Sequence, residues 1–334
     1  MRWPRLLVFL IVLAPVVLLS CDFRERDGAG ILDPGKVTAD ARGPIPGPLS
    51  ESVPEPGPAT GGPEPILPAP GPDYDGMTPG PVLSSSDLQG PSGQAPGAAS
   101  GESVGGTDIL WRHQGTGDNA VWEMNGVDYG GLHWLRGVSD ASWEIVGVND
   151  FTGDGKPDIL WRNGTSGQNA VWEMEGVDYV GLHWLRSVSD LSWRIVGVGD
   201  FSGDGKPDIL WRHQVTGELA VWTMDGVSYL GLDWLRRVVD LRWKVVGVGD
   251  FTGDGKPDIL WRHQDTGELA VWTMDGASYV GLDWLRSVGD LSWKVVGVGD
   301  FTGDEKVDIL WRQGTTGKNA VWEMDRLNYV GVHW

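Results

Sequence analysis

The chain has a single cysteine and fewer basic than acidic residues, and each shortage excludes a class of protein. One cysteine in 334 residues cannot form an internal disulfide, so no disulfide framework holds the fold together. Lys and Arg number 26 against 46 Asp and Glu, which gives a formal net charge of −20. Nucleic acids and anionic membrane surfaces are bound by clustered basic side chains, so the composition argues against both as partners.

Patterns typical of helical repeats and of catalytic sites are also missing. The sequence has no sustained 3.6-residue periodicity, no nucleophile paired with a base and no phosphate-binding glycine loop. Its six histidines show no metal-ligand clustering. The N-terminal segments and the repeats described next use the whole chain, which leaves no length for a separate catalytic domain. We therefore predict that the protein is not an enzyme.

The chain begins like an export signal. Arg2 and Arg5 precede an apolar run from residue 6 to residue 19. The run ends in Leu-Leu-Ser-Cys at Cys21, which resembles the lipobox of bacterial lipoproteins. That resemblance implies a signal peptide at residues 1–21, a lipid on Cys21, and a lipid-anchored protein of the bacterial cell envelope, either periplasmic or at the surface. An uncleaved membrane anchor and an ordinary cleaved signal remain as alternatives.

Residues 22–106 are rich in Pro, Gly, Ser and Ala and show no sustained apolar periodicity. Such a composition cannot bury enough apolar surface to offset the entropy of ordering. We predict a disordered tether that holds the rest of the chain away from the membrane.

From residue 107 to residue 334 the sequence repeats about every fifty residues, a period typical of propellers and solenoids. One unit contains four strand-like segments, which we predict at residues 243–251, 258–263, 269–274 and 279–284. The Asp275-Gly276 pair between the last two is a strong hairpin signal. Four antiparallel strands per repeat are the composition of a propeller blade. We predict an all-β chain with a β-propeller of about five four-stranded blades, in which the first blade lacks one strand; a truncated ring is the alternative.

The most regular part of each repeat is an acidic, glycine-rich loop that leads into an apolar strand. Asp200, Asp204 and Asp208 alternate with glycines in the second full copy, and oxygen ligands at this spacing suit a hard cation such as Ca²⁺. An EF-hand is excluded, because the twelfth position from Asp200 is Trp211 and the flanks are strand-like. An acidic turn that binds no metal is the alternative.

Loop, strand and period together resemble the FG-GAP or VCBS-type repeat of integrin-α-like propellers and of secreted bacterial proteins. In that family the loop binds calcium through side chains at positions 1, 3, 5 and 9 and through the carbonyl of position 7. The resemblance implies these ligands: Asp150, Thr152, Asp154, Lys156 and Asp158; Asp200, Ser202, Asp204, Lys206 and Asp208; Asp250, Thr252, Asp254, Lys256 and Asp258; Asp300, Thr302, Asp304, Lys306 and Asp308.

Departures from the family pattern set the expected number of calcium sites. Position 3 is Thr or Ser here, a weaker ligand than the usual Asn or Asp. Glu305 replaces a loop glycine in the last copy, and the first copy keeps only Asp108 of its three carboxylates. We expect about three good Ca²⁺ sites, a doubtful one at Asp300 and a lost one in the first repeat.

Nineteen of the twenty tryptophans, all but Trp3, fall into columns with different expected roles. Two columns, which begin at Trp111 and Trp122, are expected to pack in the core. Arg112 and its equivalents are expected to form internal ion pairs, with contact to a ligand as the alternative. The column on the last strand of each repeat is more open, and it gives the candidate ligand-binding residues Trp134, Trp184, Trp234, Trp284 and Trp334.

Two functions fit these features. The first is a multivalent binding module for glycans or for another surface protein, attached to a membrane through Cys21. The second is a structural spacer or protein-binding head with no carbohydrate ligand.

Overall fold

The computed structural model describes residues 107–113 and 115–334, which form five antiparallel sheets. The predicted signal peptide, the predicted lipidation site at Cys21 and the predicted tether lie outside these residues. Within the described part of the chain, no helix is both long and apolar enough to span a membrane.

Each sheet is one blade, and its strands follow the order of the chain. The first blade has three strands: β1 (Ile109–Arg112), β2 (Asn119–Asn125) and β3 (Asp128–Leu135). The second has β4 (Trp143–Asn149), β5 (Asp158–Asn163), β6 (Asn169–Glu175) and β7 (Asp178–Leu185). The third has β8 (Trp193–Gly199), β9 (Asp208–His213), β10 (Leu219–Asp225) and β11 (Ser228–Leu235). The fourth has β12 (Trp243–Gly249), β13 (Asp258–His263), β14 (Leu269–Asp275) and β15 (Ser278–Leu285), and the fifth has β16 (Trp293–Gly299), β17 (Asp308–Gln313), β18 (Asn319–Asp325) and β19 (Asn328–His333).

The predicted four-stranded blade and its strand limits are confirmed. Strands β12 to β15 coincide with the four predicted segments to within two residues at each end. The hairpin between β14 and β15 pairs Asp275 with Ser278 across Gly276, whose φ of 60° lies in the left-handed region that glycine favours. A bulge between Thr273 and Met274 shifts the register of this hairpin.

The hydrophobic core lies between neighbouring blades, as expected for the first two tryptophan columns. One cluster joins Leu210 and Val221 of the third blade to Trp261, Trp272 and their neighbours in the fourth. Within a blade the two indoles lie 5.0 Å apart and tilted by 52°, a favourable arrangement for aromatic rings. In the first blade Trp122 is only half-buried, whereas its four equivalents are buried.

The prediction of internal ion pairs is wrong for Arg112, Arg162, Arg212 and Arg262, because these arginines contact carbonyl oxygens and an indole instead. Arg162 is 1% exposed and donates to the carbonyls of Val188 (3.1 Å) and Trp193 (3.0 Å). Its guanidinium carbon lies 4.8 Å from the ring centre of Trp211 in the next blade. Burial lowers the pKa of Arg162 to about 10.

The same contact closes the ring and decides the number of blades. Each arginine of the column lies over the first-column tryptophan of the next blade, and Arg312 of the last blade lies 5.0 Å from Trp111 of the first. The backbone N–H of Thr107 also donates to the carbonyl of Asp300 at 3.0 Å. The first and fifth blades are therefore neighbours, which confirms a ring of five with a three-stranded first blade.

Candidate functional site

The acidic loop is built around the carboxylate at its first position. In the loop between β8 and β9, Asp200 Oδ1 accepts from the backbone N–H groups of Gly203 (2.6 Å) and Asp204 (3.1 Å), and Oδ2 accepts from Gly205 (2.8 Å). The φ angles of 78° at Gly203 and 83° at Gly205 bring these donors to one point. Asp150, Asp250 and Asp300 make the same bonds in their loops.

The carboxylate at position 9 is buried beneath the loop. Asp208 Oδ2 accepts from the N–H of Ser202 (2.7 Å), and Oδ1 accepts from the N–H of Met224 (2.8 Å) in the adjacent strand. Burial raises the pKa of this carboxyl, because no cationic side chain offsets its loss of water. The pKa of each equivalent is raised for the same reason, at Asp158, Asp258 and Asp308.

At the remaining loop positions a hydroxyl lies near the buried carboxylate, and the lysine side chain pairs with acidic groups, which for Lys306 include Asp304 of its own loop at 3.1 Å. Thr152 Oγ1 is buried beside Asp158 but does not form a hydrogen bond of good geometry, and Thr302 Oγ1 is likewise unpaired. Lys156 Nζ contacts Glu175 in the β6–β7 hairpin, and Lys256 Nζ lies 2.7 Å from Asp275 in the matching hairpin. The backbone carbonyl of the lysine is therefore the group that this position can offer to a cation.

These donors fit calcium in kind but are not gathered into a ligand shell. Each loop supplies three carboxylates, a hydroxyl and a carbonyl, which is the all-oxygen set that Ca²⁺ takes. In the described residues, however, no three acidic or histidine side chains stand close enough together to hold a metal. The carboxylate oxygens are directed at backbone N–H groups instead.

The last and first loops depart from the pattern where the sequence does. Glu305 adopts a φ of 63°, a conformation strained for a side chain larger than glycine. Asp108 of the first blade keeps its bond to the N–H of Met124 at 2.8 Å, as the other position-9 aspartates do. The positions of the other two carboxylates in that repeat, Ser100 and Val104, lie outside the described residues.

The last-strand tryptophans are exposed, as predicted for the more open column. Their exposed fractions run from 37% at Trp184 to 76% at Trp334. In the four complete blades each rests on the tryptophan that begins the blade, with ring centres 5.7 to 5.9 Å apart, as for Trp184 on Trp143. In the fifth blade Trp293, Trp322, Tyr329 and Trp334 line a small apolar cleft.

A polar side chain from the second strand accompanies each tryptophan pair. His213 lies edge-on to Trp193, with ring centres 5.1 Å apart, and its Nε2 is 3.3 Å from Asp190 Oδ2. His263 meets Trp243 in the same way, also at 5.1 Å. Asn163 and Gln313 occupy this position in the second and fifth blades, where each donates to a serine hydroxyl. Sequence reasoning missed this grouping, because the three side chains come from three different strands.

Histidine and glutamate form a second repeated pair. His133 Nε2 lies 3.0 Å from Glu123 Oε2, and the same pair recurs at 2.8 Å in the second and fifth blades. The third blade replaces both partners together, by Thr223 and Asp233. This joint replacement was visible in the sequence, and the structure shows that the two positions are in contact.

Sequence and structure comparisons give one family match. Residues 150–211 and 250–311 match the model of the FG-GAP-like repeat. No curated protein sequence shows a significant match.

Among solved structures, a Bacteroides caccae protein of unknown function aligns at 13% identity over 68% of this chain and 73% of that one, with a TM-score of 0.35. Myxococcus xanthus glutaminyl cyclase aligns at 12% over 66% and 87%, with a TM-score of 0.39. A chain of a nidogen/laminin complex aligns at 12% over 67% and 92%, also with a TM-score of 0.39. The repeat match and the closed ring of five sheets show that the protein is a five-bladed β-propeller that carries FG-GAP-like repeats.

Proposed function

We propose that the propeller is a multivalent binding module with one weak, lectin-like site on each complete blade. The observation that carries the proposal is the exposed tryptophan of each last strand, backed by a second tryptophan and flanked by a polar side chain. An aromatic face with a few fixed polar groups is the usual composition of a small-molecule site. A sugar ring has an apolar face that can stack on Trp234 and hydroxyls that can bond to His213 and Asp190.

Several weak sites on one protein can together bind a repetitive surface tightly. Four similar sites on one rigid ring can engage a surface that presents the same sugar repeatedly. Effective concentration then raises avidity about 10²- to 10⁴-fold over a single site without any new contact. An acidic, typically non-catalytic repeat propeller on a membrane tether suits adhesion better than catalysis.

The test is the triple variant Trp184→Ala, Trp234→Ala, Trp284→Ala in the full chain. We expect its binding to immobilised polysaccharide to fall at least about 100-fold, because the stacking faces of three sites are lost together. The matched control replaces the exposed apolar residues of the same strands, Val180→Ala, Leu230→Ala, Val280→Ala, and should bind as the native protein does. Glycan arrays and bead agglutination provide the measurements, and thermal melting checks folding.

A native protein that is folded in calcium and binds no glycan would overturn the lectin-like proposal. It would favour the alternative, a structural spacer or a head that binds another protein. Equal losses in the triple variant and in the control would show that the tryptophans have no special role.

We further propose that the loops beginning at Asp150, Asp200 and Asp250 bind Ca²⁺ and stabilise the ring. The support is the donor set, together with the buried carboxylate at position 9 of each of these loops. The strained Glu305 makes the loop at Asp300 the weaker candidate. Calcium would then fix the geometry of the blades that carry the tryptophan sites.

We also propose that a lipid on Cys21 anchors the protein in the bacterial cell envelope. The support is the position of Cys21 after the apolar run of residues 6–19. We expect Cys21→Ser to release the protein from the membrane fraction or to leave the signal uncleaved, as seen by fractionation and mass spectrometry. Cys21→Ser protein with unchanged membrane association and unchanged mass would contradict lipidation.

A further inference from the structure

The inner edge of the first blade differs from that of every other blade. In the four complete blades the first strands, β4, β8, β12 and β16, are the innermost, and each contacts the next around the centre of the ring. In the described part of the chain, β1 pairs only with β2, and no strand occupies the inner position of its blade. The backbone groups along the inner edge of β1 therefore remain available to a further strand.

Neighbouring inner strands interlock through a valine and a glycine. A Cβ added to Gly147 would lie 2.9 Å from Val198 of the next blade, and one added to Gly247 would lie 2.5 Å from Val298. Gly197 meets Val248 even more closely, at 2.3 Å. Only glycine fits opposite these valines, so each complete blade presents a hole to the next blade and a knob to the previous one.

At the first blade no described residue fills either half of this interlock. A Cβ on Gly297 meets, among the described residues, only Leu310 of its own blade, at 3.7 Å. On the other side Val148 is 41% exposed, whereas the three equivalent valines are less exposed. The hole of the fifth blade and the knob of the second thus face the same position, which no described residue occupies.

The sheet edge between them is also partly uncovered. Ile109 and Leu110 of β1 are half-buried, whereas Ile159 and Leu160 at the same positions of the second blade are 4% and 0% exposed. In that blade the covering strand is β4, which pairs with β5 in an antiparallel register. One strand of the same kind would complete the first blade.

We propose that this edge is a docking site for a single extended β-strand donated by another polypeptide. The interface of the inner strands continues into the site from both sides, and it sets the chemistry of the occupant. The strand must run antiparallel to β1, with glycine facing Val148 and a β-branched residue facing Gly297, as in the sequence Trp-x-Val-Val-Gly-Val-Gly of β12 and β16. Main-chain bonds to the edge and side-chain pockets on both flanks are the usual basis of strand addition.

Two other occupants fit less well. Residues 22–106 contain no copy of the inner-strand pattern of two β-branched residues followed by Gly-Val, so the sequence of the chain's own N-terminal region matches the site less well. A second copy of this chain has its inner strands paired within complete blades, and giving one up would open a site as large as the one that it fills.

The test uses a fluorescent peptide with the sequence of residues 291–299, flanked by lysines for solubility, and the native full chain. We expect saturable binding by fluorescence anisotropy at physiological salt. A scrambled peptide of the same composition controls for attraction to the acidic protein and should not bind. Hydrogen exchange should slow in β1 when the peptide is added but stay unchanged in the equivalent strand β9.

A matched pair of variants locates the site. Gly297→Ala has room in the free protein, so it should melt like the native chain and weaken peptide binding at least about tenfold, because its methyl group occupies the hole. Ser292→Ala, at the residue before the same strand and outside the interlock, should bind normally. Absence of peptide binding to the folded native chain, or equal affinity of the native and Gly297→Ala proteins, would overturn the proposal.

Discussion

Removing calcium is expected to lower the melting temperature of the protein by more than about 15 °C. A metal that binds only the folded chain contributes about 2.7 kcal/mol per site at a hundredfold excess over its dissociation constant, or roughly 8 kcal/mol for three proposed sites. In a domain of this size each kcal/mol moves the melting temperature by about 2–4 °C. Calorimetry in millimolar calcium and then in excess chelator measures the difference.

Two matched substitutions separate a metal effect from a general one. The substitution Asp204→Asn changes a loop that keeps both of its glycines, Gly203 and Gly205. The substitution Asp304→Asn changes the loop that carries the strained Glu305. We expect Asp204→Asn to remove more of the calcium-dependent stabilisation. Melting curves that coincide with and without calcium would show that the loops are turns held by hydrogen bonds alone.

The dependence on pH gives the same test a second readout. Without metal, burial raises the pKa of Asp158 and its equivalents above the ordinary value of 3.8, so the folded protein binds more protons than the unfolded chain. Stability should therefore fall as the pH rises from 3.8 through the folded pKa values of these carboxyls. Bound calcium favours the ionised carboxylates, so it should remove or reverse this slope.

Replacing Arg162 by alanine is expected to destabilise the propeller by about 3–5 kcal/mol. The guanidinium is buried, and it donates to the carbonyls of Val188 and Trp193 while covering Trp211 of the next blade. Its loss leaves two carbonyls without this donor, at about 1–3 kcal/mol for each buried group, and opens a cavity between blades. Denaturant unfolding gives the change as a lower midpoint at an unchanged slope.

The control for this substitution is an exposed arginine of the same ring. Arg242 lies on the surface and pairs with Asp240 at 2.7 Å, so Arg242→Ala should melt close to the native protein. An Arg162→Ala protein as stable as Arg242→Ala would mean that the contact between blades adds nothing to stability.

The blade could be predicted from the sequence because its signals are local and repeated. Asp275-Gly276 fixes a hairpin through the φ that glycine favours, and the apolar segments on either side fix two strands. The spacing of Trp261 and Trp272 repeats in every unit, so their burial follows from packing one blade on the next. These features depend on residues that lie within one blade or in matching positions of two.

The features that the sequence did not predict depend on how separate segments meet. Arg162 carries the charge of an ion-pair partner, yet its neighbours in the fold are carbonyl oxygens. The spacing of Asp150, Asp154 and Asp158 is that of a ligand set, but spacing does not say which backbone N–H groups the oxygens accept from. The group formed by Trp193, His213 and Trp234 comes from three strands, and no linear pattern joins them.

Closure of the ring bears on how long the folded state persists. In an open array of repeats the end unit has one neighbour, so it frays first and exposes the chain to proteases. The contact of Arg312 with Trp111 gives the first blade a second neighbour, and fraying from an end requires that this seam part first. Among the described residues, the apolar cluster at this seam has three buried members, Phe301, Leu310 and Val321, whereas the other four clusters have eight or more. The lifetime of the protein in the presence of a protease should therefore be set by this one seam, and cleavage should begin in the blades that flank it.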